Sequence, residues 1–147
     1  MIYQILKHSH SGLRWIILLL LLAAIMNSFF KMLFRSNYKK FDKVLSIASL
    51  SSVHLQIILG ILLYFISPKV IFKAESMSNP MLRFFLVEHA LLMLLSAIAI
   101  SIGFRITKKT SVPYDKHLNT FLFYTISLLL IVFSIPWPWK NLGGAWY

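Results

Sequence analysis

The chain has 147 residues, of which 59% are hydrophobic and 13% are charged, and its mean hydropathy is +0.76. These values lie far outside the range of soluble domains and indicate a membrane protein. The absence of cysteine excludes disulfides, thiolate metal ligands and covalently attached c-type haem. A net charge of +11 does not indicate nucleic acid, because Lys and Arg lie between the apolar segments, where lipid headgroups attract them. We therefore predict a lipid bilayer as partner and no nucleic acid.

Four long apolar segments follow one another along the chain. They cover about residues 13–34, 44–66, 84–104 and 118–135, and each is near the roughly 20 residues that a spanning helix needs. None shows the two-residue alternation of a membrane β-barrel. The sequence therefore predicts an all-α fold, a single transmembrane domain over residues 1–147 that forms a four-helix up-and-down bundle.

The basic residues predict how this bundle is oriented. The side that holds both short connections carries more Lys and Arg than the other side, so the positive-inside rule places both termini outside. All four tryptophans fall on that outer side, as in an interfacial aromatic belt: Trp15, Trp137, Trp139 and Trp146.

Polar and small residues recur at helical spacing in three of the segments, which predicts one inward face for each. The first face comprises His10, Arg14, Ile17, Ala24, Asn27 and Lys31. The third comprises His89, Met93, Ser96 and Gly103, and the fourth comprises His117, Thr120, Tyr124, Ser127 and Ser134. Close helix packing is the leading interpretation of each face, and a cofactor wall is the alternative.

The second segment presents a conflict between two faces. Ser49, Ser52, Gln56 and Gly60 form one stripe, whereas His54 lies about 200° from Gln56 at 100° per residue. Both cannot face the centre of one bundle. If His54 points inward, the stripe is predicted to contact a second copy of the chain or a partner subunit.

Two histidines on separate segments lie at nearly the same depth. At about 1.5 Å per residue, His54 is about 15 Å from one boundary of the membrane core and His89 about 13.5 Å from the other. Two level imidazoles suit axial ligation of a haem iron, so we predict His54 and His89 as metal ligands of haem b. Arg14 is a candidate for the propionates, and His10 and His117, at the two edges, are further candidate cofactor-binding residues.

Glu88 stands next to His89, and a carboxyl at membrane depth is costly unless it is paired. A protonated or hydrogen-bonded carboxyl at a helix contact is the simpler interpretation. The functional alternatives are proton exchange with a quinone, or a non-haem metal site with His54 and His89, with His10 as a further ligand.

Five motifs spread over nearly the whole chain resemble a known group. They are His8-Ser9-His10-Ser11-Gly12-Leu13-Arg14-Trp15, Val53-His54-Leu55-Gln56, Val87-Glu88-His89, Lys116-His117 and Ile135-Pro136-Trp137-Pro138-Trp139. Together they resemble short four-span bacterial membrane proteins described as cytochrome b-like and, more remotely, one half of a haem A synthase-type bundle. The resemblance implies a multi-pass protein of the bacterial inner (cytoplasmic) membrane.

Three hypotheses about function remain open from the sequence. The first is a b-type haem protein that relays electrons, with quinol as a candidate partner. The second is a non-enzymatic accessory or assembly subunit of a membrane complex, in which the histidines and the Gln56 stripe hold helices together. The third is a small non-haem metal or proton-handling protein that uses His10, His54, Glu88 and His89.

Overall fold

The computed structural model describes residues 1–142, and this part of the chain is helical without strands. It contains four long helices: α1 (Ile2–Leu33), α2 (Lys40–Ile66), α3 (Pro80–Lys109) and α4 (Pro113–Ser134). Each is long and apolar enough to cross a membrane. The prediction of an all-α, multi-pass membrane protein is therefore confirmed.

Helix α1 begins at Ile2, well before the apolar segment that starts near residue 13. The polar residues of this extension do not interrupt the helix, because Lys7, His10 and Arg14 fall at steps of three and four residues and share one face. That face lines a cavity in the bundle. This N-terminal extension of α1 therefore places His10 in the wall of the cavity.

Helix α3 contains a local change of helical type. Asn79 caps its start, and Oδ1 accepts hydrogen bonds from the backbone N–H of Met81 at 3.0 Å and of Leu82 at 3.2 Å, which satisfies two otherwise unpaired donors. A π-helical turn then occupies Phe84–Glu88, and the backbone N–H of His89 bonds to the carbonyl of Phe84, five residues earlier. The α-helical remainder, His89–Lys109, follows this turn.

Small polar side chains hold the four helices together. Helix α1 packs against α2 and α4, and α3 packs against α4 and α2. Between α3 and α4, the hydroxyls of Ser96 and Ser127 lie 2.7 Å apart, and both residues are buried. Across the bundle, the hydroxyl of Tyr124 donates to the carbonyl of Ser46 at 2.9 Å. Such contacts are typical of helix packing in lipid.

The predicted inward faces of the first, third and fourth segments are confirmed. Every residue of the predicted α4 face is buried. Met93, Ser96 and Gly103 are buried on α3, and Ile17 and Ala24 are buried on α1. The other members of these two faces are partly buried.

The Gln56 stripe of α2 faces α1 of the same chain. Gln56 is 4% exposed and donates through Nε2 to the carbonyl of His10 at 2.9 Å, and Ser49 donates to the carbonyl of Leu20 at 3.2 Å. Ser52 donates within α2 to the carbonyl of Ser49. The condition for contact of Ser49, Ser52, Gln56 and Gly60 with a second copy or a partner subunit was an inward His54, and this condition is not met, because His54 is exposed and Gln56 and Ser49 contact α1 instead.

Three tryptophans lie together at the end of the bundle where α1 begins. The rings of Trp15 and Trp137 are 6.3 Å apart, and Trp137 stacks on Trp139 with centroids 4.9 Å apart. The fourth, Trp146, lies outside the described residues. The described part of the predicted tryptophan group is thus a contiguous aromatic cluster.

A buried carboxylate joins the end of α1 to the start of α2. Asp42 is 2% exposed and accepts hydrogen bonds from Lys31 Nζ at 2.6 and 2.8 Å, from Asn27 Nδ2 at 2.7 Å and from the backbone N–H of Lys39 at 2.6 Å. These donors compensate the cost of burying the charge. The network fixes the connection between the first two helices.

We expect Asp42→Ala to lower the free energy of unfolding by about 2 kcal/mol or more, because it removes several charge-assisted hydrogen bonds at once. Titration of the detergent-solubilised protein with a denaturing detergent, followed by circular dichroism, measures this change. Glu75→Ala, at an exposed position of the short 3₁₀ helix Ala74–Met77, is the control and should leave the transition in place. Equal stability of the two variants would contradict this account of the network.

Gly103 allows α3 and α4 to approach closely, because a Cβ at this position would overlap the side chain of Phe123. We expect Gly103→Ala to destabilise the bundle by about 1–3 kcal/mol, the usual cost of overpacking. Gly12→Ala is the matched control, since a Cβ there meets nothing within 4 Å and alanine favours a helix. The same titration should show a lower stability for Gly103→Ala than for Gly12→Ala. Coincident unfolding curves would show that α3 and α4 do not approach closely at Gly103.

Candidate functional site

A cavity of about 470 Å³ lies among α1, α2, α3 and the end of α4, at the end of the bundle where α1 begins. Its walls are mainly apolar, and include Ile17, Val53 and Ile131. A few polar groups interrupt them, among them His10 and His89. Its size and its mixture of apolar walls with a few polar groups are typical of small-molecule sites, which span about 300–1,000 Å³.

The hydrogen bond that His89 makes defines its tautomer. Nδ1 lies 2.7 Å from the carbonyl oxygen of Ser134, and because a carbonyl only accepts, Nδ1 must carry the proton. In the neutral ring, Nε2 is then the nitrogen with a free lone pair. Histidines that bind metals usually donate their other N–H in this way to a carbonyl or carboxylate. His89 is therefore prepared to act as a ligand or as a hydrogen-bond acceptor.

The π-helical turn sets the angle between His89 and the residues that precede it in α3. One extra residue in a helical turn rotates the following side chains by about 100° relative to a continuous α-helix. The turn is held by Tyr64 of α2, whose hydroxyl donates to the carbonyl of Leu86 at 2.8 Å. The rings of Phe84 and Phe85 lie 6.0 and 6.1 Å from the His89 ring. These contacts position the imidazole in the cavity wall.

His10 lies opposite His89 on α1. The two ring centroids are 6.2 Å apart and the ring planes make an angle of 68°. One edge of the His10 ring rests on Gly60, where a methyl group would already touch Cε1 at 3.4 Å. Gly60 thus lies in direct contact with the His10 imidazole, which packs against α2 at this point.

Two polar atoms of the cavity lining are buried without a hydrogen-bond partner among the described residues, namely His10 Nδ1 and Gln56 Oε1. Buried polar atoms in proteins are nearly always paired with protein, water or ligand. Because both residues line the cavity, a molecule bound there is one means of satisfying them. These atoms mark the His10 side of the cavity as a polar contact region.

The cavity also carries positive charge. Lys7, Arg14 and Lys69 line it, and no Asp or Glu occurs among its described lining residues. The Lys69 ammonium lies 4.8 Å from the ring centroid of Phe85, and Arg14 Cζ lies 5.2 Å from that of Trp15. Burial, and to a lesser extent the charge of Lys7, lower the pKa of Lys69. Cationic side chains from α1 and from the α2–α3 loop therefore reach the cavity wall.

The predicted pairing of His54 with His89 is wrong. The His54 side chain is exposed on the surface of the bundle, where Nε2 lies 3.0 Å from the hydroxyl of Ser101, and it does not line the cavity. The physical reason is the rotation of α2, which buries Val53 and Gln56 instead. His54 and His89 therefore do not face a common interior point.

Two other predicted residues also lie away from the cavity. Glu88 is exposed and pairs with Arg83 Nε at 2.9 Å. His117 is fully buried elsewhere, with its ring 5.2 Å from that of Tyr38. Residues 1–142 contain no group of three or more His, Asp or Glu that could hold a metal ion. The predicted metal site of His54, Glu88 and His89, with or without His10, is thus not assembled.

Three of the predicted cofactor-binding residues do line one cavity: His10, Arg14 and His89. Sequence reasoning missed Lys7, Lys69, Gly60 and the role of Gln56. The resulting site joins apolar walls, two imidazoles on separate helices and three cationic side chains. No protein-family model, no curated protein and no solved structure matches this chain.

Proposed function

We propose that this chain is a b-type haem-binding protein of the bacterial inner membrane that relays electrons, with His10 and His89 as the iron ligands. The observation that carries the proposal is the approach of these two imidazoles, 6.2 Å between centroids, in the wall of one apolar cavity. When bound, haem supplies one-electron exchange at its iron. The protein supplies the two nitrogen ligands, the apolar surroundings and the cationic residues.

The separation of the two rings is compatible with a metal between them. Each residue would hold the iron through one ring nitrogen, and the two rings lie with their centroids 6.2 Å apart. The bond from His89 Nδ1 to the carbonyl of Ser134 holds the ring with Nε2 available, and it raises the basicity of that nitrogen.

The other lining residues fit a flat, apolar group with acidic substituents. Aliphatic side chains and Met93 would exclude water from the ring system, and this low-polarity environment is one of the factors that set the potential of a haem. The guanidinium of Arg14 would bind a propionate, as Arg does with carboxylates generally. No acidic lining residue among those described would repel the propionates.

The proposed arrangement in the membrane is an up-and-down bundle with both termini on the outer side. The tryptophan cluster of Trp15, Trp137 and Trp139 supports an interface at the end where α1 begins. Basic residues in the α1–α2 and α3–α4 connections support a cytoplasmic location for the other end. The cavity would then lie toward the outer face, within reach of a membrane quinol.

A second candidate function is that of an accessory subunit in a membrane complex, and His54 is the observation that favours it. This imidazole is exposed on an apolar surface beside Leu55 and Ile58, which are 48% and 56% exposed. Its Nε2 already contacts the Ser101 hydroxyl at 3.0 Å, but the exposed remainder of a polar ring at membrane depth is costly where it faces lipid, and a partner helix at this surface could cover it. Co-purification of a specific subunit that His54→Leu releases would support this role.

We expect the protein purified from haem-replete cells to show a reduced-minus-oxidised b-type spectrum. His10→Ala and His89→Ala should each abolish it or change its ligation state, because each removes one of the two proposed iron ligands. His54→Ala is the matched control and should keep the spectrum, since His54 lies outside the cavity. Absorbance and magnetic circular dichroism of the three variants measure the effect.

Two results would contradict the haem proposal. One is colourless wild-type protein from cells that load a control cytochrome with haem. The other is an unchanged spectrum in both His10→Ala and His89→Ala. Loss of the spectrum in His54→Ala alone would instead support His54 and His89 as the iron ligands, a pair that the position of His54 outside the cavity disfavours.

A further inference from the structure

We infer that Pro136 and Pro138 end α4 so that the carbonyl of Ser134 remains available to the Nδ1–H of His89, which makes the two prolines positioning residues for a proposed iron ligand. The role of His89 as a ligand rests on the proposed function, whereas its hydrogen bond to Ser134 can be measured without haem. The prolines belong to the Pro136-Trp137-Pro138-Trp139 motif, which thereby acquires a task in the site.

Side chains complete the C-terminal end of α4. The last four carbonyls of a helix have no partner within it unless the following residues supply an N–H. The first of these in α4, at Ile131, accepts from the backbone N–H of Ile135 at 3.1 Å. Each of the other three accepts from a side chain: Val132 from Trp137 Nε1 at 3.0 Å, Phe133 from Lys140 Nζ at 2.7 Å, and Ser134 from His89 Nδ1 at 2.7 Å. His89 is thus one of three side chains that cap this helix.

The two prolines explain why His89 can take this place. In a continuing α-helix, residue 138 would donate its N–H to the carbonyl of Ser134, but Pro138 has no N–H. Pro136 ends the helix before that point, because proline disfavours the helical conformation of the residue that precedes it. Ile135 is accordingly extended, with ψ 128°. The carbonyl of Ser134 therefore meets no competing backbone donor from position 138.

Packing between α3 and α4 holds the two partners in place. Ser134 is fully buried, and its hydroxyl lies 3.1 Å from Sδ of Met93. Met93 follows His89 by one turn on α3, so a single residue of α4 contacts two successive residues of the same α3 face. The hydrogen bond from Nδ1 leaves Nε2 of the neutral His89 ring as the nitrogen with a lone pair.

The Ser134 carbonyl opposes the tautomer that histidine prefers in water. There the form with the proton on Nε2 is the more populated one, and it cannot bind iron through Nε2. Donation from Nδ1 to a carbonyl favours the other form, and it raises the basicity of Nε2. A more basic ligand stabilises ferric iron relative to ferrous iron, so this hydrogen bond lowers the potential of a haem bound at His89.

The first test measures the proton position on His89 without haem. Full-length protein freed of haem and labelled with isotopic nitrogen in histidine is studied by nitrogen NMR at alkaline pH, where the rings are neutral. The His89 signals are those lost in His89→Gln. We expect the Nδ1–H form to exceed the Nε2–H form by about tenfold, the ratio that an ordinary hydrogen bond produces. An excess of the Nε2–H form would overturn the inference.

The second test asks whether the prolines maintain this tautomer. Pro136→Ala/Pro138→Ala restores the N–H at position 138 and allows α4 to continue, so that this N–H competes with His89 for the carbonyl of Ser134. We expect the tautomer ratio to fall to about threefold or less, and the midpoint potential of bound haem to rise. Pro136→Ala alone is the matched control, because position 138 still lacks an N–H, and it should keep the wild-type ratio and potential.

The outcomes separate this inference from the proposed function. A wild-type ratio in the double variant, with circular dichroism showing that it is folded, overturns the role of the prolines, and so does an equal fall in the control. If the double variant does not fold, Pro138→Ala is compared with Pro136→Ala, since only the first restores the N–H at position 138. Failure of the wild type to bind haem overturns the proposed function and leaves the tautomer measurement unaffected.

Discussion

The hydrogen bond from Gln56 Nε2 to the carbonyl of His10 is the contact on which the geometry of the site depends. A buried amide needs a partner, and this one finds it on α1, which fixes the rotation of α2. The same rotation directs His54 to the surface and places Gly60, one turn further along, beneath the His10 ring. The outward position of His54 and the contact of Gly60 with His10 therefore have one cause.

The sequence allowed the four helices and three of their inward faces to be predicted, because segment length and the 3.6-residue period are local properties. The rotation of α2 could not be predicted from the same information, since His54 and Gln56 are both polar and only their neighbours decide between them. The pairing of His10 with His89 was also missed. It requires α1 to be helical at His10, before the apolar segment that begins near residue 13.

Positive charge is accommodated in two different ways in this bundle. Near the α1–α2 connection, Lys31 is paired with the buried carboxylate of Asp42, so that the charge is compensated within the chain. Around the cavity, Lys7 and Lys69 line a space without a described acidic residue. The first arrangement stabilises the fold, whereas the second places cationic side chains in the wall of a mainly apolar space.

The π-helical turn before His89 divides α3 into two parts with independent angular settings. The part after the turn keeps its packing on α4 through residues such as Ser96 and Gly103, whatever the number of residues in the turn. Deletion of one residue between Phe84 and Glu88 would therefore rotate Arg83, Phe84 and the start of α3 about the helix axis. The His89 imidazole would keep its position. A single-residue length change in this turn is therefore a route by which evolution could alter access to the cavity without redesigning the bundle.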